Sequence, residues 1–187
     1  GRGSLKIAFP IIDQNNTAAI YSSVGAISSD KNYILRFSTL GTTNNGHVNV
    51  YLRNNNAPYT RIAPAKDAVF GTMKKDHELT FNASASVSNG AFMIEIDQNS
   101  GTTYLDNIAL FEAGPNGELI SNNLYNYGQF ENDINNISVW SANGNVNTSW
   151  DNTSKINNTT YYTITDANGR QSSVGVTSSQ AITPLAA

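Results

Sequence analysis

The segment of residues 91–113 constrains the fold of this chain more than any other part of the sequence. Its first half alternates apolar with mixed side chains, and the apolar positions are Phe92, Ile94 and Ile96. A period of two residues indicates a β-strand with one buried face. The Asn-Ser-Gly triplet at residues 99–101 has turn chemistry, and an apolar run resumes at residues 103–111. The segment therefore predicts two strands joined by a turn.

An aspartate within the second of these strands is unexpected. Asp106 stands in the run Tyr-Leu-Asp-Asn-Ile-Ala-Leu, where most of its neighbours are apolar. Burying an unpaired carboxylate is costly, because the charge loses its hydration and gains nothing in return. We therefore expect either a metal ion or a network of hydrogen bonds to compensate this charge.

Other segments before residue 113 also have strand-like patterns. Apolar side chains alternate at residues 33–38 (YILRFS) and at residues 47–53 (HVNVYLR). Such segments recur about every 10 to 15 residues, which is typical of a β-sandwich. No stretch has the period of an amphipathic helix of two turns or more. We predict an all-β fold, and more specifically an antiparallel β-sandwich.

The composition narrows both the class of protein and the class of partner. Hydrophobic residues make up 39% of the chain and charged residues only 13%, so Asn, Ser and Thr supply much of the polar surface. This balance is typical of a secreted or cell-surface β protein. The net charge is −3 and there is no basic stripe, which argues against nucleic acid as a partner. No apolar run approaches the roughly 20 residues of a membrane span, and the absence of cysteine excludes disulfides and thiol catalysis.

The order of these strands and the closing motif at residues 104–110 resemble a known module. The closing motif is the most specific piece, and the other matching segments are residues 33–37, 47–53, 78–81 and 92–97. The stretch from about residue 5 to residue 113 is similar to the galactose-binding-like β-sandwich of carbohydrate-binding modules, as in families 4, 16 and 22. The resemblance implies a jelly-roll sandwich and a polysaccharide or oligosaccharide partner.

The resemblance also implies a structural calcium ion, bound away from the sugar cleft by the aspartate of the closing strand, here Asp106. Calcium takes oxygen ligands from side chains and backbone. In the family a second ligand is often a glutamate in an Asn-x-x-Phe-Glu segment at the start of the domain. Here the matching text is residues 126–131, which follow the sandwich, and the second implied ligand is Glu131.

The strand at residues 47–53 and its neighbours indicate a polar and aromatic face, on which His47 also lies. Sugar rings stack on aromatic side chains, while Arg, Asn and Glu side chains hydrogen-bond their hydroxyls. The resemblance implies that Tyr51 is the stacking platform, and Trp150, in a polar run, is a second candidate. The predicted carbohydrate-binding residues are Arg36, Asn49, Tyr51, Arg53, Glu95 and Trp150. The alternative for this face is the ordinary solvated surface of a sandwich.

The predicted domain organisation has three parts: a sandwich at residues 5–113, a linker at residues 114–123 and a β-rich tail at residues 124–187. The tail could pack on the sandwich, or a circular permutation could make it supply the missing first strand. It could also begin a second module or form an immunoglobulin-like domain. A truncated second module would leave an unpaired sheet edge, which favours a tail that packs on the sandwich.

Together these features favour a non-catalytic carbohydrate-binding module of a secreted polysaccharide-degrading enzyme. It would bind β-linked glycan chains, and its parent chain would also carry a catalytic domain. The alternative is a structural or adhesive sandwich repeat of a large bacterial cell-surface protein. A small glycan lyase or hydrolase is a weaker third interpretation, because a small sandwich with a shallow face rarely holds a carboxylate pair with separated pKa values. Other enzyme classes are disfavoured because the sequence has no triad-like pattern, no HExxH and no nucleotide-binding loop.

Overall fold

The structure is a computed structural model that describes the backbone at residues 4–8, 17–125, 141–143, 147–151, 160–165 and 171–177. Side chains are described at residues 4–8, 19–96 and 99–125. The predicted calcium ligand Glu131 and the rest of its motif lie outside the described residues.

The described residues form twelve β-strands and a single 3₁₀ turn at Gln98–Ser100. In chain order the strands are β1 (Ser4–Ala8), β2 (Thr17–Ile27), β3 (Asn32–Gly41), β4 (Gly46–Asn54), β5 (Lys66–Phe70), β6 (Lys75–Asn82), β7 (Val87–Asp97), β8 (Thr103–Ala113), β9 (Ser141–Asn143), β10 (Asn147–Asp151), β11 (Thr160–Thr165) and β12 (Gln171–Thr177). Within these described parts, no helix is long and apolar enough to cross a lipid bilayer.

The first eight strands have the order of a jelly roll. One sheet contains β1-β8-β3-β6 and the other contains β5-β4-β7-β2, and the pairs within each are antiparallel. Of the consecutive strands from β1 to β8, only β4 and β5 are neighbours in one sheet, and every other step crosses between the sheets. This topology confirms the predicted all-β antiparallel sandwich of jelly-roll type.

The core lies between these two sheets. Leu35 and Leu110 from one sheet and Val50 and Ile94 from the other belong to a single apolar cluster and are fully buried. The inward side chains of β4 alternate with partly exposed ones, as the period of two predicts. That alternation matters for the site, because it sends every second side chain of β4 to the outer face.

Residues 114–125 fold back along β8 instead of leaving the sandwich. The backbone N–H of Leu124 donates to the carbonyl of Leu110 at 2.7 Å, and the N–H of Leu110 donates to the Asn123 side chain at 3.0 Å. Tyr125 is buried in the core, where its ring packs edge-on against Phe92 with centroids 5.0 Å apart. The proposed division into sandwich, linker and tail stays a prediction.

The four later strands extend both sheets. β9 pairs with β2, whereas β10 and β12 pair with β1, and β11 pairs with β12. The described residues therefore form a seven-stranded sheet, β11-β12-β1-β8-β3-β6 with β10 beside β1, and a five-stranded sheet, β5-β4-β7-β2-β9.

Candidate functional site

The outer face of the five-stranded sheet carries a row of large side chains across three strands. Tyr51 of β4 lies directly opposite Met93 of β7, which lies opposite Tyr21 of β2. Residues that oppose each other in an antiparallel sheet share a face. These three side chains alternate with core residues such as Phe92, so their common face is the outer one.

The side chains in the middle of this row are buried, although the row lies on an outer sheet face. Met93 is only 1% exposed and Tyr21 only 9%, and the neighbouring Ala91 is fully buried. Aromatic and basic side chains from β4 and from the loop after it cover this floor. The row is therefore a buried apolar floor under an aromatic and basic cover, and a sugar ring would meet the side chains of that cover.

Arg53 contacts two aromatic rings on one side of the row, along β4. Its guanidinium carbon is 4.6 Å from the ring centroid of Tyr21 and 5.0 Å from that of Tyr59. One terminal nitrogen, Nη2, donates to Asn55 Oδ1 at 3.2 Å, while the Nε of Arg53 is buried with no hydrogen-bond partner. Cation–π contact with two rings restrains the orientation of this guanidinium.

Tyr51 is held by a basic and an acidic neighbour. The guanidinium carbon of Arg61 is 4.0 Å from the Tyr51 ring centroid, and the Tyr51 hydroxyl donates to Glu95 Oε1 at 2.9 Å. Burial, together with the bond to Glu95, raises the pKa of Tyr51, so the phenol stays protonated at neutral pH. One face of the predicted stacking platform is therefore occupied by Arg61.

The loop between β4 and β5 brings Tyr59 and Arg61 to this face. Backbone bonds close its base, from the N–H of Asn54 to Thr60 O at 2.8 Å and from the N–H of Ile62 to Leu52 O at 2.9 Å. Tyr59 adopts a φ of 59°, in the left-handed region, and remains 53% exposed.

The opposite side of the row, along β4 and β7, is acidic and amide-rich. Asn49 lies opposite Glu95 on one side and opposite Asp67 of β5 on the other. Asp67 Oδ1 accepts from the Asn49 amide at 2.8 Å and lies 3.0 Å from His47 Nε2. The hydrogen bonds from Asn49 and His47 lower the pKa of Asp67 and keep it ionised.

The structure brings together four of the predicted binding residues and separates two. Asn49, Tyr51, Arg53 and Glu95 share the outer face of the five-stranded sheet. The expectation that Arg36 shares this face is wrong, because β3 pairs with β6 and β8 in the other sheet.

In that sheet the Nε of Arg36 pairs with Glu78 at 2.8 Å. Trp150 lies in β10, where its backbone is opposite Leu5 in the seven-stranded sheet, and its side chain lies outside the described residues. Neither residue is therefore placed on the face that carries Tyr51.

The sequence interpretation missed three aromatic and basic members of the face, Tyr21, Tyr59 and Arg61. The first belongs to an irregular strand whose partner could not be known in advance. The other two lie in the loop after β4, where Tyr59 has a left-handed backbone conformation. Their contact with β4 depends on how that loop closes, which the sequence pattern does not show.

Asp106 is fully buried on the outer side of the seven-stranded sheet, opposite Ser38. Its Oδ1 accepts from the backbone N–H of Asn107 at 2.7 Å, and Asn107 has a φ of 53° at a bulge in β8. Ser38 accepts from the Asn107 amide at 3.2 Å and donates to Asp76 at 2.9 Å. One backbone hydrogen bond therefore reaches this carboxylate, and the bonds that join Ser38 to Asn107 and Asp76 lie beside it.

This oxygen-rich cluster has the donor chemistry that calcium prefers. However, no group of three His, Asp or Glu side chains that could hold a metal ion occurs among the described residues. The second predicted ligand, Glu131, lies beyond them. The described part of the chain therefore does not test the predicted site, and the calcium ion stays a prediction.

No protein-family model matches this sequence. No curated protein matches it either. Among solved structures, one described as "CBM4 structure and function" is similar, with 21% identity and a TM-score of 0.44 over 50% of this chain and 72% of that chain. The carbohydrate-binding module described as "PbXyn10C CBM APO" is 16% identical, with a TM-score of 0.48 over 79% of this chain and 89% of that one.

The arabinose-bound α-L-arabinofuranosidase MgGH51 is 17% identical, with a TM-score of 0.48 over 62% of this chain. The match spans 20% of the arabinofuranosidase, so it concerns a small part of that enzyme. These likenesses concern the fold, and two of the three structures are the kind of module that the sequence resembles. The ligand of this chain has to be argued from its own side chains.

Proposed function

We propose that this chain is a non-catalytic carbohydrate-binding module that binds β-linked glycan chains on the outer face of its five-stranded sheet. The observation that carries the proposal is the exposed ring of Tyr59 beside the row formed by Tyr51, Met93 and Tyr21, with Arg53 in contact with both Tyr59 and Tyr21. Hydrogen-bonding side chains border the row on both sides, along the strands. Sugars present the matching surface, with apolar ring faces and polar hydroxyl edges.

Different residues of the face would contact the ring and the hydroxyl groups of a sugar. The half-exposed ring of Tyr59 is available for stacking against a sugar ring. The carboxylate of Glu95 accepts from sugar hydroxyls, and the partly exposed amide of Asn49 both donates and accepts. Arg53 and Asn49 lie on opposite sides of Tyr51 along β4, so successive sugars of an extended chain can be bound along the strands.

The electrostatics of the face suit binding better than catalysis. A glycoside hydrolase needs a carboxylic acid that is still protonated near neutral pH. The pKa of Asp67 is lowered instead. Glu95 accepts a hydrogen bond from the Tyr51 hydroxyl. We propose that catalysis belongs to a separate domain of a secreted polysaccharide-degrading parent protein, with a structural calcium held by Asp106 and Glu131.

Affinity electrophoresis of the chain through gels that contain single polysaccharides tests the proposal. We expect retardation by at least one β-linked glycan, and we expect Tyr59→Ala to reduce it. Arg36→Ala is the matched control, because this exposed residue lies in the other sheet. Unchanged mobility on every glycan would contradict the proposal and favour a structural or adhesive repeat.

A further inference from the structure

The basic end of the binding face contains a like-charged pair. Arg53 and Arg61 are partners in an antiparallel bridge between β4 and the loop that follows it. Like charges placed directly opposite each other destabilise a sheet. The repulsion between the two arginines lowers the stability of the folded state, and an anion bound next to both would offset it.

Neither arginine forms an ion pair with any of the described carboxylates. The cations that do so lie elsewhere, for example Lys31 with Glu112 at 2.7 Å and Arg36 with Glu78 at 2.8 Å. The contacts of Arg53 and Arg61 are instead with tyrosine rings and with Asn55. The positive charge at this end of the face is therefore not neutralised by the described side chains.

Both guanidinium groups are oriented before any ligand arrives. Tyr21 and Tyr59 flank Arg53, and the ring of Tyr51 lies against Arg61, which is itself exposed. A planar guanidinium fork matches a carboxylate, with two parallel N–H···O bonds. Stacking on the rings reduces the side-chain entropy that such a contact would otherwise lose.

We infer that the glycan recognised by this face carries carboxylate groups, as chains that contain uronic acids do. This inference rests on the proposed function and adds the charge of the ligand to it. A sugar ring would lie against the exposed ring of Tyr59 while its carboxylate contacts Arg53 and Arg61. Asp67 and Glu95 at the far end would repel a second carboxylate, so the charge also sets the direction of the chain.

The test compares one uronic-acid polysaccharide with its own carboxyl-reduced form, in which each carboxylate is converted to a primary alcohol. We expect the native glycan to bind about tenfold or more tightly than the reduced one, with the difference shrinking as salt is added. Equal binding of the two forms would overturn the inference and leave the proposed function intact. Tighter binding of a sulfated glycan of the same backbone would overturn the carboxylate assignment.

Two variants separate charge from fold. Arg61→Gln removes one exposed cation, and we expect it to abolish most of the preference for the native glycan while residual binding of the reduced glycan persists. Arg36→Gln removes one exposed cation from the other sheet, and we expect it to retain the preference. Thermal unfolding of both variants checks that they fold. A folded Arg61→Gln protein with an unchanged preference would overturn the inference, whereas failure of the parent chain to bind any glycan would overturn the proposed function itself.

Discussion

The Tyr51 hydroxyl donates a 2.9 Å hydrogen bond to Glu95 across the β4–β7 pair. The bond connects Tyr51 of the aromatic row with Glu95 on the acidic side of the face, so the two parts of the proposed site are in direct contact. We expect Tyr51→Ala to weaken glycan binding about tenfold, ~1.4 kcal/mol, because Arg61 loses the ring that orients it and Glu95 loses its hydrogen-bond partner. Isothermal titration measures this loss.

Tyr51→Phe is the informative partner of that variant, because it keeps the ring and removes the bond. We expect it to lower the unfolding free energy by about 1 kcal/mol while most of the binding survives. If both variants bind as the parent does, Tyr51 does not belong to the site.

His77 makes the stability of the sandwich depend on pH. Its ring is buried and stacks on Phe37 with centroids 4.8 Å apart. Burial, and then the charge of Lys75, lower its pKa from 6.5 to about 4. The unfolded chain thus binds the proton more tightly than the folded chain. The contribution of neutral His77 to the free energy of unfolding is therefore complete above pH 6.5 and is lost as the pH falls toward 4.

The loss amounts to ~3 kcal/mol at most, and urea unfolding at several pH values between 7.5 and 4 measures it. We expect His77→Gln to flatten this part of the profile, since the neutral side chain takes up no proton. The same slope in the variant as in the parent would assign the effect to other groups.

Tyr125 extends the folding unit beyond β8. Its ring contacts Phe92, and its hydroxyl donates to Ser22 at 2.7 Å. We expect Tyr125→Ala to cost about 3–5 kcal/mol of unfolding free energy, as for other large aromatic side chains removed from a core. Tyr125→Phe should cost only about 1 kcal/mol.

Chemical denaturation of both Tyr125 variants provides the measurement. A chain shortened to end at residue 113 should unfold at lower denaturant concentration than one that ends at residue 125. Equal stability of the two shortened chains would mean that residues 114–125 act only as a linker.

The proposed calcium ion gives a separate prediction. We expect a chelator to lower the thermal unfolding midpoint of the full chain, because an ion bound only by the folded state stabilises it. Asp106→Asn and Glu131→Gln should each reduce this dependence on calcium. A midpoint that is the same with chelator and with added calcium contradicts the proposed site.

The sequence predicted the sandwich well because alternation is a local property. Val48, Val50 and Leu52 are fully buried, as the period of two in β4 requires. Strand adjacency is not local, which is why Arg36 was grouped with Tyr51 although β3 lies in the other sheet. The pattern of β3 shows which side chains share a face, but it contains nothing about which sheet the strand joins.

The binding face illustrates the same limit at a smaller scale. Asn49 and Arg53 could be found from the sequence, since they alternate with core residues on one strand. Tyr59 and Arg61 reach the face only because backbone bonds at Asn54 and Ile62 close their loop onto β4. Long-range hydrogen bonding of this kind leaves no periodic signal.

The closed base of this loop has an evolutionary consequence. Residues 55–61 begin directly after β4 and end at the bridge between Arg61 and Arg53 of β4. The segment can therefore be exchanged while the strands beneath keep their register. Related sandwiches could diversify their ligands by swapping this one segment, and protein engineers could graft it onto another jelly roll to transfer charge selectivity.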